Sequence, residues 1–291
     1  MTVQRTLWLD TTCFFDTTTV HAGIYETATL EGSPAGREVT LKQGTWLWQW
    51  THTLPPEDTL EKAPLAKPLV REGTTALLLA IQSLQTTHPS LWQTLTHVLI
   101  HQGPGGFTGI RQGMLIARAV AQWCPSLSVA VISGLQLGYV HTLSHHDTAG
   151  NTLPTVSVNL PMMKQGGWIS QVFPLQGLHD GDIATSLHTP RHRSHAEARH
   201  DPLPQWFVTS EELWEAFQAQ YFGEEASSKS ALMPPYTTEH LWQVVARVCQ
   251  SSELQSALGI LWQKGYQGLT PFYATPPSIT PPRTRPRRVF T

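Results

Sequence analysis

Seven consecutive residues of this 291-residue chain have the make-up of a close-approach loop: Gly103, Pro104, Gly105, Gly106, Phe107, Thr108 and Gly109. Glycine tolerates positive φ and has no Cβ, so a ligand or a neighbouring segment can come near the backbone. Thr108 stands where it can cap a following helix, and the free N–H groups of a helix start suit an anion such as phosphate. No Lys-Ser/Thr pair follows Gly109, so this is not a P-loop, and the glycine spacing is not that of a dinucleotide fingerprint. A tight strand-to-helix connection uses the same residues, and residue types alone leave both readings open. Asp10, Thr11 and Thr12 close an apolar run near the N-terminus. They offer a carboxylate and two hydroxyls, either to a metal–phosphate group or to the strand-end turn itself. His141 and His145 are four apart, a spacing that puts two imidazoles on one helix face, as a metal would require. The pair lacks the glutamate of an HExxH motif, so a solvated helix end is expected and no metal ligands are assigned.

The elements that must position these residues follow from hydrophobic periodicity. Residues 7–9, 18–25 and 45–51 read as strands, with Trp46, Trp48 and Trp50 alternating onto one buried face. Residues 72–85 form a nearly all-apolar helix, 97–101 a buried strand, 108–123 the helix after the loop and 129–132 another buried strand. A helix is expected at 137–143, strands at 155–158 and 168–173 around a Gly166–Gly167 turn, and helices at 210–221, 238–249 and 254–264. Residues 179–204 are rich in His, Arg, Asp and Pro without periodicity and read as a long surface excursion. Strands first, then helices mixed with strands, point to an α/β chain of two lobes. The expected division is 1–112 for the first lobe, 113–275 for the second, and 276–291 for a disordered Pro/Arg-rich tail.

Composition excludes whole classes. The chain is 40% hydrophobic and 14% charged with 11 Trp, which is the opposite of a disordered protein. No run approaches the roughly 18 apolar residues of a membrane span, and the N-terminus lacks an export leader's apolar core. A cytoplasmic protein without a membrane partner is expected. Arg283, Arg285, Arg287 and Arg288 fall in the last eleven residues with no acid, whereas the preceding 280 carry 15 Lys and Arg against 21 Asp and Glu. Direct contact with nucleic-acid phosphates therefore belongs first to the tail. Cys13, Cys124 and Cys249 are too scattered for a disulfide framework or a structural zinc. The 14 His are a surplus that composition does not explain.

The helix after the loop is itself informative. Gly113 inside it costs about 1 kcal/mol relative to Ala, which points to close approach by a neighbour. Arg111, Arg118 and Gln122 make a narrow polar stripe, while Met114, Ile116, Ala117, Ala119, Val120 and Ala121 cover most of the remainder. The 72–85 helix, with Leu77, Leu78, Ile81 and Leu84, has the same character. Helices this apolar are buried or face another protein, and pattern alone allows either.

Residues 98–113, which carry the loop, closely resemble the GPGSFTGxRxG signature of the TsaB (YeaZ) family. Residues 7–12 are similar to that family's first strand and Asp-Thr turn, 129–135 to the strand and helix start after the signature, and 269–273 to its terminal Pro-x-Tyr element. The resemblance implies the two-lobed actin/Hsp70/sugar-kinase (ASKHA) fold, with mixed sheets flanked by helices. It also implies a non-catalytic scaffold or activator subunit in the formation of N6-threonylcarbamoyladenosine at adenosine 37 of ANN-decoding tRNAs. The expected partners are a TsaD-like catalytic subunit, bound as a heterodimer, and a TsaE-like ATPase, with tRNA met indirectly or through the Arg-rich tail. On this reading the partner surface comprises Leu77, Leu78, Ile81, Leu84, Phe107, Arg111, Met114, Ala117 and Arg118, and the isolated chain pairs with itself through the same helices.

No cofactor is expected on this chain alone; ATP enters at the level of the complex. Kinases and ATPases of the same fold use the first-strand aspartate to organise metal and phosphate. The alternative is therefore a stand-alone ATPase or small-molecule kinase, with Asp10, Thr11, Thr12, Gly105, Gly106 and Thr108 around the nucleotide or phosphate. Against it, bulky Cys13, Phe14 and Phe15 stand where that chemistry uses a glycine-rich hairpin. The catalytic relative TsaD is set aside by register, because its two metal-binding His positions fall here on Gly134 and Gly138.

Overall fold

Strands and helices alternate along the chain in a computed structural model that describes residues 2–11, 19–32, 39–53, 69–104, 107–146, 155–161, 167–174, 190–194, 197, 205–207, 230–232, 237–266 and 269–272. In order these are β1 (Thr2–Asp10), β2 (Thr19–Gly32), β3 (Val39–Thr53), α1 (Leu69–Thr87), α2 (Pro89–Gln93), β4 (His97–His101), α3 (Phe107–Trp123), β5 (Ser128–Ile132) and α4 (Gly134–His146). There follow β6 (Thr155–Pro161), β7 (Trp168–Pro174), β8 (Arg191–Arg193), β9 (Gln205–Phe207), β10 (Ser230–Leu232), α5 (Thr238–Gln250), α6 (Ser252–Ala257) and β11 (Gln263–Lys264).

The first sheet has the order β11-β5-β4-β1-β2-β3 and the second β10-β9-β6-β7-β8. From β1, the neighbours β2 and β3 run antiparallel in succession on one side, while β4 and β5 are parallel on the other. From β6, the strands β7 and β8 repeat the antiparallel side, and β9 and β10 the parallel side. The chain thus contains the same mixed-sheet topology twice, which is the α/β class expected from the sequence.

Leu7, Trp8 and Leu9 are all buried, because β1 is covered on both faces and needs no polar alternation. On one side Leu7, Leu9, Val98 and Ile100 pack with Leu77, Ile81 and Leu84 of α1 and with Met114, Ala117 and Val120 of α3. On the other, Trp8 and Leu99 join α4, α5 and the Val156, Val158, Ile169 and Phe173 side chains of the second sheet. Helices α4 and α5 pack on each other, α5 against β2 and β3, and α4 against β6 and β7. The two sheets therefore share one core around these helices.

Several expectations are corrected by these elements. The three tryptophans do not share a face. Between Ile24 and Tyr25 the β2–β3 register shifts, so that Tyr25 faces Trp46 while Ile24 faces Trp48, with Leu47 as the extra residue of a bulge. Trp46 consequently joins Tyr25 and Trp242 in the core on the α5 side, and Trp48 and Trp50 go to the α1 side. The lobe boundary placed after residue 112 falls within α3, and β5 adds to the first sheet. Part of the 179–204 excursion is the sheet strand β8, in which Arg193 is buried. Residues 254–264 hold the end of α6 and then β11 rather than one helix. The helix expected at 210–221 and the tail lie outside the described residues.

Candidate functional site

Parallel pairing of β1 with β4 sets Leu9 opposite Ile100, so the two strands end with Asp10 and His101 side by side. His101 Nδ1 and Asp10 Oδ1 are 3.0 Å apart, and both residues are buried, at 1% and 2% exposure. The indole of Trp8 stacks on the imidazole at 6.2 Å between centroids. Thr11 is buried as well, and its Oγ1 donates to Gly109 O at 2.7 Å. A Cβ added to Gly113 would lie 2.3 Å from that hydroxyl oxygen. Thr11 is thus the close neighbour for which α3 has a glycine.

The loop glycine Gly103 is used in a similar way. Its φ is +109°, and the bond to Pro104 is cis. A Cβ there would meet Phe272 O at 2.6 Å. Phe272 N donates to Gln102 O (2.9 Å), Gln102 N to Ile132 O (2.9 Å) and Gly134 N to Gly103 O (2.8 Å). The C-terminal segment crosses behind the loop and is held again by Arg118, whose Nη2 donates to Leu269 O at 3.0 Å. At Gly103, then, the segment approaching the backbone is the chain's own.

Of the residues considered for nucleotide or phosphate, Asp10 and Thr11 are brought together, but their polar atoms face internal partners. Thr12, Gly105 and Gly106 lie outside the described residues, as does the side chain of Thr108, whose backbone is in the first turn of α3. His101 was not found by sequence reasoning. The signal was available: a polar residue ends a buried strand that a parallel sheet places next to β1.

Burial divides the residues expected on a partner surface. Leu77, Ile81, Leu84, Met114 and Ala117 lie beneath the helices in the core against β1, β2 and β4 and present nothing outward. Arg118 is exposed but serves as the strut to Leu269. Arg111 is exposed, and the side chain of Phe107 lies outside the described residues. Leu78 faces outward at 45% exposure, and it is joined by Leu79 at 58% and Leu115 at 64%, neither of which periodicity singled out. Helices α1 and α3 pack side by side. The exposed positions of α1 from Thr75 onward are Thr75, Leu78, Leu79, Gln82, Ser83, Thr86 and Thr87, without one ionisable group. The result is an outer face of leucines and small polar groups, bordered by Arg111 on α3.

His141 is not at a solvated helix end: it is 2% exposed, and its ring centroid is 5.0 Å from that of His240 on α5. Burial holds the Cys249 thiol up to about 12, which removes it as a nucleophile near neutral pH. No helix among the described residues is long and apolar enough to cross a membrane.

No protein-family model matches the chain, and no curated protein matches it in sequence. In structure it is similar to YeaZ from Pseudomonas aeruginosa, with a TM-score of 0.51 at 11% identity over 93% of this chain and 99% of that one. It also aligns with an uncharacterized protein described as similar to the peptidase YeaZ from Pseudomonas aeruginosa, with a TM-score of 0.49 at 12% identity over 94% and 100%. The first likeness spans both sheets, and the fold is that of YeaZ, a two-lobed ASKHA-type architecture.

Proposed function

We propose that this chain is a non-catalytic subunit of an assembly that forms N6-threonylcarbamoyladenosine at adenosine 37 of ANN-decoding tRNAs, and that it acts by pairing with a TsaD-like catalytic subunit. The observation that carries this reading is the outer face of α1 and α3, where Leu78 and Leu79 stand exposed on a stretch of α1 without ionisable groups and Leu115 stands exposed between Arg111 and Arg118 of α3. Exposed apolar clusters of this kind mark protein interfaces, whose centres are depleted of charge. The loop signature at 103–109 and the YeaZ-like fold support the choice of partner.

The strand-end chemistry fits a supporting role. A carboxylate meant to organise metal and phosphate needs access, whereas Asp10 is buried against His101. A TsaE-like ATPase supplies the nucleotide step in this reading, and the tail arginines meet tRNA phosphates where the complex holds its substrate.

Size-exclusion chromatography of the chain mixed with a TsaD-like subunit tests the pairing. A co-eluting 1:1 complex is expected, lost in Leu79→Glu and Leu115→Glu while each variant stays folded. Separate elution of the two wild-type proteins, or unchanged co-elution of both variants, contradicts the proposed face. Without the partner, wild-type chain pairs with itself through the same helices, and the two variants run as monomers.

A further inference from the structure

We propose that His141 and His240 form a two-imidazole site for a divalent transition metal of the zinc class, clamping α4 to α5 between the two sheets. The two residues are 99 positions apart and on different helices, so no sequence spacing announces them. The structure brings their ring centroids to 5.0 Å with the planes at 57°. Zinc–nitrogen bonds of about 2.0–2.1 Å put each imidazole centroid about 3.2 Å from the metal, so two rings sharing a tetrahedral ion sit about 5 Å apart. The observed separation matches that value.

The surroundings supply what such a ligand pair needs. His141 is 2% exposed, so its orientation is held by packing. His240 is anchored by the cap of α5, with Nδ1 2.9 Å from Thr237 Oγ1 and 3.2 Å from Thr237 N. When Nδ1–H donates to Thr237 Oγ1, Nε2 carries the lone pair and becomes the ligand atom. A hydrogen bond from the far ring nitrogen is the usual way a protein fixes the tautomer and orientation of a metal-binding His. Metal binding thus selects this tautomer over the one in which Nδ1 accepts from Thr237 N. Among the described residues no group of three His, Cys, Asp or Glu side chains converges, so the proposal rests on these two imidazoles. Imidazole ligands favour zinc, copper or nickel over magnesium or calcium. The reading does not depend on a protein partner.

Isothermal titration of the metal-stripped full chain with zinc chloride at pH 7.5 tests it, with His240→Gln as the decisive variant. Glutamine at this third helical position keeps the capping box, so the fold survives while the imidazole is lost. Wild type is expected to bind zinc at this site, and His240→Gln and His141→Asn each to weaken that binding about tenfold or more. His88→Gln, at an exposed position, is expected to leave it unchanged. Circular dichroism in EDTA establishes that His240→Gln is folded, which keeps the test decisive if His141→Asn is not. Zinc binding by folded His240→Gln equal to that of wild type overturns the proposal, as does wild type with no saturable zinc site.

Discussion

The first sheet, with strands up to 15 residues long, and the second, in which β8, β9 and β10 have three residues each, repeat one strand order with different surroundings. Each engages the polar group near the end of its first strand internally. In the first, Asp10 meets His101; in the second, Asn159 accepts from Ser170 Oγ at 2.5 Å and donates to Ser157 O at 3.1 Å. Among the described residues, the first sheet is covered on its outer side by α1 and α3, whose outer surface carries bare leucines. What the duplication teaches is that the same frame can engage its strand-end groups internally, which leaves the outer helical face for the pairing proposed above. Residues two positions apart on one helix then belong to different tasks, as Leu115 and Ala117 do on α3.

That contrast predicts the largest effect. Ala117→Glu places a carboxylate at a position with 0% exposure, and a loss of about 4 kcal/mol or more in chemical denaturation is expected. Leu115→Glu, at 64% exposure, should stay within about 0.5 kcal/mol of wild type. Equal costs for the two would erase the inside-outside division of α3.

Within α3, Gly113→Ala tests the close neighbour. The added methyl must displace Thr11 Oγ1, an overpacking cost of about 1–3 kcal/mol, offset by a gain of about 1 kcal/mol in helix propensity. In a Thr11→Ala background the same change should become neutral or stabilising, and an additive double-mutant cycle would show that Thr11 is not the obstacle.

A comparison of the two sheets follows. Asp10→Ala removes the carboxylate beside a buried imidazole, and Ser170→Ala removes the hydroxyl that donates to Asn159 Oδ1; each should cost about 1–3 kcal/mol, with Asp10 the larger of the two. Asp10→Ala should nevertheless support tRNA modification when the folded fraction is matched, whereas a chemical role for the carboxylate predicts activity falling well beyond the loss of folded protein.

A pH slope is expected as well. Burial, and secondarily the Lys264 charge, holds the His97 pKa down to about 4 from an ordinary 6.5. Between those values the unfolded chain takes a proton that the folded state refuses, so stability is complete above about 6.5 and declines as pH falls toward 4. His97→Gln should flatten that part of the stability–pH curve; an unchanged slope would assign it to other groups.

Legibility in the sequence followed what was local. The strands at 97–101 and 129–132, the helix after the glycine loop, and the close neighbour implied by Gly113 could all be read from residue types and short spacing. Partition of α1 and α3 could not be read at single positions, because Leu77 and Leu78 are chemically identical and only the packing of α1 on β2 assigns one inward. Trp46 was misassigned because a one-residue bulge reverses alternation without changing composition. His101 and His240 required pairing across 91 and 99 positions, and the three-residue strands β8–β10 are too short for periodicity to register.

The central claim is tested most directly by measuring threonylcarbamoyladenosine in an ANN-decoding tRNA after incubation with threonine, bicarbonate, ATP and the other pathway proteins. A TsaD-like subunit is expected to form the nucleoside with wild-type chain, to lose most of that activity with Leu79→Glu, and to form none without the chain. Full modification without it, or with Leu79→Glu equal to wild type, would contradict the account.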